Sequence, residues 1–545
     1  MDQNPTNSSR ASVAQSAGIV SLAIVASRVL GLVRDQVFAI FFGAGYHYDA
    51  FLTAFRIPNL LRDLFAEGAL SSAFVTTFTQ TLATQGKEEA VRLSNRVATL
   101  MILVIGAISL AAWFLAPAIV SLLAPGFFEV PGKAPLTIEL TRIMIPFLLL
   151  VALAAQAMGI LNSLNRFGWP ALASAFFNIG SIVGGLTLGF LIGPALGLTP
   201  IEGMAYGTLI GGFLQFAVQW PSLVRAGFRY RPMISLRDSG VRQILRLMGP
   251  AVVGTAAVEV NVFVNTNFAS AIVDAATGAV ANGPVSWLSY AFRFLQFPIG
   301  VFGVAVAVAT LPRLSRSTAA EKFDEFRETV AHSLALVFLL CIPSAVGLAV
   351  LGRPIVALIF EHGKFTPFDT LQTANAVAAY AIGLAGYGAV KVLSPAFYAL
   401  GDARTPMFIS LGSIAVNYVM NSLLVGPLGH VGLALSTSTV ALVNFFLLAL
   451  FMRRRLRRLG GRRLGLTVLR ILAAALPMAI VAWGVDALCA AVPVSGLPLV
   501  FIRVAASISV ASVTFYAGCR LLRVSEVNEA FDATAGRFLR AFRRR

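Results

Sequence analysis

Residues 27–80 read SRVLGLVRDQVFAIFFGAGYHYDAFLTAFRIPNLLRDLFAEGALSSAFVTTFTQ. The background is that of membrane helices, yet it carries Arg28, Arg34, Asp35, Asp49, Arg56, Arg62, Asp63 and Glu67. A charge inside a bilayer costs several kcal/mol unless it is paired or faces a wet cavity. So many charges in two adjacent spans point to a polar cavity inside a helix bundle. At about 100° per residue, Arg28 and Asp35 share a face of the first helix. Asp49, Arg56 and Asp63 repeat that interval on the second, and Glu67 stays on the same stripe. Arg34 and Arg62 widen the charged face, and Pro58 and Gly68 give the second helix places to bend. The competing reading is a set of ion pairs that lock two helices together, and it fits Asp35 and Asp63 best. Snorkelling does not rescue Arg28 or Arg34, because each lies well inside its apolar run.

The whole chain agrees with this stretch. Its 545 residues are 57% hydrophobic and 12% charged, against roughly 25% charged in a soluble protein. Apolar runs of the roughly 20 residues that cross a bilayer fall near 17–42, 49–80, 92–124, 137–163, 169–193, 202–222, 242–273, 284–312, 328–351, 370–400, 405–425, 431–452, 467–488 and 497–522. The fold class is therefore an all-α polytopic membrane protein with 14 transmembrane helices. Residues 1–16 are polar, and the first apolar run continues through charges without a small-residue cleavage site, so it is expected to stay as the first span. Cys341, Cys489 and Cys519 lie in apolar segments without metal-ligand spacing and read as packing residues.

The net charge of +18 is unevenly placed. Six arginines fall in 225–246 and seven in 453–463, and the chain ends Arg543-Arg544-Arg545. The opposite loops 43–48, 194–201, 426–430 and 489–496 contain neither Lys nor Arg. Arginine-rich loops stay cytoplasmic, which puts both termini there. The basic charge is thus a topology signal with weak attraction for anionic membrane lipids, and no nucleic-acid partner is expected. The tail 524–545 is basic; an amphipathic surface helix and a solvated tail both fit it.

The chain carries an internal duplication. Ala54-Phe55-Arg56 recurs as Ala291-Phe292-Arg293, 237 residues on. Residues 164–170, LNRFGWP, recur as 400–406, LGDARTP, and 203–208, GMAYGT, as 432–437, GLALST. Each match is weak, but their common order and near-constant offset mark a repeat. Six spans per half give parallel repeats, which suits alternating access. The expected organisation is a segment 1–16, an N-lobe 17–230, a C-lobe 240–455, two extra helices in 464–523 and the tail 524–545.

Arg293, nine residues into its span, adds a cation from the second half. Counting inward at about 1.5 Å per residue, Arg34, Arg56 and Arg293 lie roughly 10–14 Å deep, and Arg28 and Arg62 roughly 20–22 Å. Guanidinium is always charged and grips phosphate in a bidentate way. A cavity with more arginines than carboxylates reads as a site for a phosphate-bearing anion; pairing of Arg293 with a carboxylate is the alternative. Enzyme chemistry finds no support. His47, His332, His362 and His430 have no metal-ligand spacing, and no phosphate-cradling loop with its lysine is present. Lys391 and Arg142 serve the cavity or snorkel. Asn265, Asn417, Asn421 and Thr437 have the chemistry to coordinate a cation, but hydrogen bonding between helices accounts for them more simply.

Ser27-Arg-Val-Leu-Gly-Leu-Val-Arg-Asp35, Asp49-Ala-Phe and Phe55-Arg-Ile-Pro-Asn-Leu-Leu-Arg-Asp-Leu-Phe-Ala-Glu-Gly-Ala69 resemble the signature of the MurJ (MviN) lipid II flippases. Leu161-Asn-Ser-Leu-Asn-Arg-Phe167, Phe365-Thr366 with Asp369-Thr370, and Val390-Lys-Val-Leu-Ser-Pro-Ala-Phe-Tyr398 extend the likeness. That family belongs to the multidrug, oligosaccharidyl-lipid and polysaccharide exporter superfamily. The resemblance implies two six-helix lobes plus an extra pair forming a lipid-tail groove. It implies export of lipid II, an undecaprenyl-pyrophosphate-linked peptidoglycan precursor, to the outer face of the bacterial plasma (inner) membrane. It places the functional arginines at Arg28, Arg34, Arg62 and Arg293 and the acidic positions at Asp35, Asp49 and Glu67; Arg56 joins them from the cavity stripe. Thr76 stands where Pro is usual, Phe292 where an acid often precedes the arginine, and Asn265 and Asn421 where some members have acids. The expectation is a transporter with no cofactor, driven by membrane potential or an ion gradient, with lipid II, membrane lipids and cell-wall synthesis proteins as partners. An exporter of another polyprenyl-linked glycan is the alternative. A cationic-drug exporter should have an acidic cavity, and a glycosyltransferase a catalytic carboxylate or metal site.

Overall fold

In hydrocarbon every backbone N–H and C=O must be satisfied within the protein, which leaves the α-helix as the simplest spanning element. The computed structural model describes residues 5–63, 69–274, 276–457, 461–491 and 496–528, and helices dominate it. An isolated antiparallel bridge, Val273 to Val280, closes a hairpin loop. By its contacts the chain forms two units that meet in sequence at Gly283 and Pro284.

The first unit contains α1 (Pro5–Phe42), α2 (Tyr46–Arg62), α3 (Ala69–Gln85), α4 (Lys87–Phe114), α5 (Ala116–Leu123), α6 (Lys133–Met144), α7 (Phe147–Ser163), α8 (Gly168–Leu186), α9 (Pro200–Ala217), α10 (Trp220–Arg225) and α11 (Ser239–Ser270). Its core gathers Phe74, Phe78, Leu93, Val97, Phe147, Val151, Leu161 and Ile244 from α3, α4, α7 and α11. Sequence spacing made α11 the opening helix of the second lobe; its packing places it in the first unit. The polar segment 1–16 is not separate either, since α1 begins at Pro5.

The second unit contains α12 (Pro284–Pro298), α13 (Val304–Ala319), α14 (Phe323–Phe360), α15 (Pro367–Ala381), α16 (Leu384–Ala399), α17 (Arg404–Leu456), α18 (Gly461–Ala490) and α19 (Leu497–Leu521). The 38-residue α14 is its spine, contacting α13, α15, α16, α18 and α19. The last two helices pack on each other and dock on α14 through Leu351, Met478, Ala482 and Ala511.

Among the described residues eight helices are long and apolar enough to cross a membrane, or nine if α15 and α16, bent by 45°, make one span. This is the polytopic helical class expected, although length and composition alone do not reach fourteen. Part of the difference is continuity. The 53-residue α17 covers two expected spans and breaks at Gly429, whose φ of 56° and ψ of −134° are non-helical. Residues 64–68, between α2 and α3, lie outside the described residues, as do 529–545 of the basic tail.

The duplication has a local structural counterpart. Asn165 and Gly401, 236 residues apart, both take the left-handed conformation, with φ of 58° and 73°. In each copy the next amide reaches back to the helix it follows, Arg166 N to the Leu161 carbonyl at 2.8 Å and Asp402 N to the Phe397 carbonyl at 3.0 Å. This is the same helix stop written twice.

Candidate functional site

The charges of the opening stretch divide into three kinds. Asp49 is fully buried. Its Oδ2 accepts from Lys133 Nζ at 3.0 Å and from the Gly283 amide at 2.7 Å. Lys133 also donates to Asn282 Oδ1 at 2.8 Å, and its ammonium lies 4.1 Å from the Phe127 ring centroid. With both side chains at 1% exposure or less, the pair knits α2, α6 and the loop before α12. Asp49 therefore does not line an open cavity as expected; it is a structural counter-charge for a buried lysine. Spacing hid this, because Lys133 sits just ahead of the apolar run of its span.

Arg56 turns to α11 of the same unit. Its Nη1 donates to Thr266 Oγ1 at 2.5 Å and to the Val262 carbonyl at 3.4 Å. It too is engaged in packing helices, although its side chain is only partly buried.

The third kind stays accessible. Arg28 is exposed on α1. Arg34 Nη2 lies 3.3 Å from Asp35 Oδ1, and its guanidinium sits 5.6 Å from the Phe177 centroid of α8. Arg62 donates from Nε and Nη2 to Asp63 Oδ1 at 3.0 and 2.8 Å. The side chains of Arg34 and Arg62 keep 18% and 23% of their exposure. The seven-residue spacing put Arg28 and Asp35 on one face; the structure pairs Asp35 with Arg34 and Asp63 with Arg62, each its immediate chain neighbour. A carboxylate one residue along holds each of these two guanidinium groups from the side. Glu67 lies outside the described residues.

In the second unit Arg293, on α12, is half-buried and donates to Gln296 Oε1 at 3.1 Å. Nearby, Trp287 Nε1 donates to Asp369 Oδ1 at 2.9 Å. Asp369 and Thr366 form the capping box that starts α15, so this family-like motif is a folding signal. Asn417 and Asn421 are buried on α17, with Asn421 Nδ2 donating to Asn417 Oδ1 at 3.3 Å. The Ser436 hydroxyl donates to the Asn417 backbone carbonyl at 3.2 Å. Among the described residues no group of three or more His, Cys, Asp and Glu could hold a metal ion.

Sequence reasoning missed three features. Lys133 is one. Glu259 of α11 is another: it faces Asp63, Arg62 and Arg56, and its only signal was a lone acid in an apolar run. The third is the bidentate pair of Arg503 on α19 with Asp486 on α18, at 2.5 and 2.7 Å. A charge of opposite sign in each of two successive apolar runs was the available clue.

The family model described as lipid II flippase MurJ matches residues 38–502. The lipid II flippase MurJ of Burkholderia cenocepacia is 35% identical over 433 residues, covering 79% of this chain and 81% of its own. The probable lipid II flippase MurJ of Vibrio cholerae is 35% identical over 437 residues, with 79% and 81% covered. A solved structure titled lipid II flippase MurJ, inward closed conformation, is similar at a TM-score of 0.75 and 28% identity, covering 92% of this chain and 99% of that one. An inward-facing multidrug MATE transporter shares the fold at a TM-score of 0.62 and 16% identity, with 81% and 95% covered.

Proposed function

The chain belongs to the lipid II flippase MurJ family, and from that premise we propose how it handles its substrate. It is a multi-pass membrane transporter rather than an enzyme, and its substrate is lipid II. The pyrophosphate of the head is bound by Arg28, Arg34 and Arg62, and Arg293 is also needed for transport. The observation that carries this reading is that Arg28, Arg34 and Arg62 stay accessible, while Asp49 and Lys133 of the same unit neutralise each other out of reach. Guanidinium offers several donors in a fixed fork, which suits an anion with several phosphate oxygens. Asp35 and Asp63 hold the arginines when the site is empty.

The protein works in the bacterial plasma membrane with both termini in the cytoplasm, and presents the site alternately to the two faces. The polyprenyl tail stays in lipid or against α18 and α19. No cofactor takes part. An inside-negative potential favours outward movement of an anion by about 2.3 kcal/mol per charge per 100 mV. Cell-wall synthesis proteins act on the delivered lipid.

The test is lipid II accessibility at the outer face of cells depleted of this protein. Wild type should restore it, and stably expressed Arg62→Ala or Arg293→Ala should not. Full restoration by Arg62→Ala would remove that residue from the site.

A further inference from the structure

A cavity of about 430 Å³ opens in the second unit where α14 and α18 begin and α19 has just ended. That volume falls in the range of small-molecule sites, roughly 300–1,000 Å³. Asp324, Arg327, Glu328 and His332 line it from one face of α14, at spacings that bring helical side chains together. Arg463 lines it from the first turn of α18, and Glu526 from the segment after α19. These charges are only partly matched within the protein. Arg327 Nη1 donates to Asp324 at 2.5 Å. Among the described residues neither Glu328 nor Arg463 forms an ion pair. Glu526 is 7% exposed, and its one hydrogen bond among them comes from the Ser525 hydroxyl at 3.0 Å. A carboxylate accepts several hydrogen bonds and is costly to bury without them. Past Arg463 the helix turns apolar: Leu464 lines the cavity, and Leu466 and Leu469 are 48% and 63% exposed.

We propose that this cavity binds the phosphoethanolamine headgroup of a membrane aminophospholipid, phosphatidylethanolamine. Its primary ammonium brings N–H donors to Glu526 and Glu328, its phosphate meets Arg463, and its acyl chains lie along the exposed leucines of α18. An anionic head would meet a wall with more carboxylates than guanidinium groups. A bare cation would leave Arg463 without an anion. The bound lipid fastens the α18–α19 pair to α14 at this end, as Leu351, Met478, Ala482 and Ala511 do within the spans. None of the arginines assigned to lipid II lines the cavity, so this site stands or falls apart from that one.

The test titrates the purified full chain in detergent micelles with phosphatidylethanolamine labelled on one acyl chain, for wild type, E526Q and R463Q. Unlabelled phosphatidylethanolamine should displace this probe about tenfold better than phosphatidylcholine, whose ammonium has no N–H, or phosphatidylglycerol, which has no ammonium. E526Q and R463Q should each bind the probe about tenfold more weakly. The lipid should also raise the melting temperature of wild type more than that of either variant. Equal displacement by the three lipids, or wild-type affinity in either folded variant, overturns the proposal. If soluble phosphoethanolamine displaces the probe as well as the lipid does, the ligand is a soluble phosphate ester and the membrane-lipid assignment falls. Melting temperature checks the fold of each variant. If E526Q is not recovered folded, R463Q at its exposed position decides alone.

Discussion

Lys133 and Asp49 form the most deeply buried ion pair described in this protein. Removing one partner leaves the other charged and unsatisfied, at a cost of about 3–5 kcal/mol. Lys133→Ala should therefore lower the melting temperature of the purified protein sharply. Lys133→Ala with Asp49→Ala should cost less than the sum of the single changes, because neither charge is then stranded. Asp402, in the turn between α16 and α17, makes a pH prediction. Partial desolvation raises its pKa, but bonds from the Thr405 amide and hydroxyl and the nearby Arg455 outweigh that and hold it below the ordinary value. A depressed carboxyl contributes stability that is fully present above the unfolded value, about 3.9, and lost as pH falls through the folded one. Asp402→Asn should thus melt below wild type at neutral pH, and the two melting curves should converge in acid.

At the scale of elements, α8 and α9 make the closest helix pair in the first unit. A Cβ on Gly203 would lie 2.2 Å from the Gly189 amide nitrogen, and one on Gly207 would lie 2.4 Å from that of Gly185. Backbones this close need residues without side chains, the usual solution where lipid gives helices no hydrophobic reason to associate. The repeated motif beginning at Gly203 is therefore a packing signal. Its second copy begins at Gly432, where an added Cβ would lie 2.2 Å from the Leu424 carbonyl oxygen. Gly207→Ala should destabilise by about 1–3 kcal/mol through overpacking. Gly106→Ala, on α4 with nothing within 4 Å of the new Cβ, should be neutral or stabilising by up to about 1 kcal/mol. Thermal unfolding of the two variants side by side separates the effects.

For the whole molecule the prediction concerns driving force. Lipid II is an anion, so collapsing the membrane potential at constant pH should slow its outward movement in vesicles, while a reversed potential should not restore the rate. A rate indifferent to potential would remove the electrical term. The class was readable before any coordinates from the apolar runs, and the family from the resemblance of residues 27–69 to a known signature. Individual roles were less readable. Asp49 and Arg62 look alike in the sequence, two charges within one membrane helix. Asp49 meets the ammonium of a residue 84 positions away and is buried with it, whereas Arg62 meets its chain neighbour and keeps 23% of its side-chain exposure.

The sequence by itself determined what depends on local chemistry. Apolar run length makes membrane helices, arginine-rich loops carry the topology signal, and a near-constant offset reveals the duplication. Helix stops at Asn165 and Gly401 and the capping box at Thr366 are equally local. Only the tertiary structure decided partners across distance. It withdrew Asp49 into a buried ion pair with Lys133, turned Arg56 onto α11 and moved α11 into the first unit. The physical reason is that a buried charge takes its role from whatever folding brings within a few ångströms. Periodicity fixes only the face it leaves from.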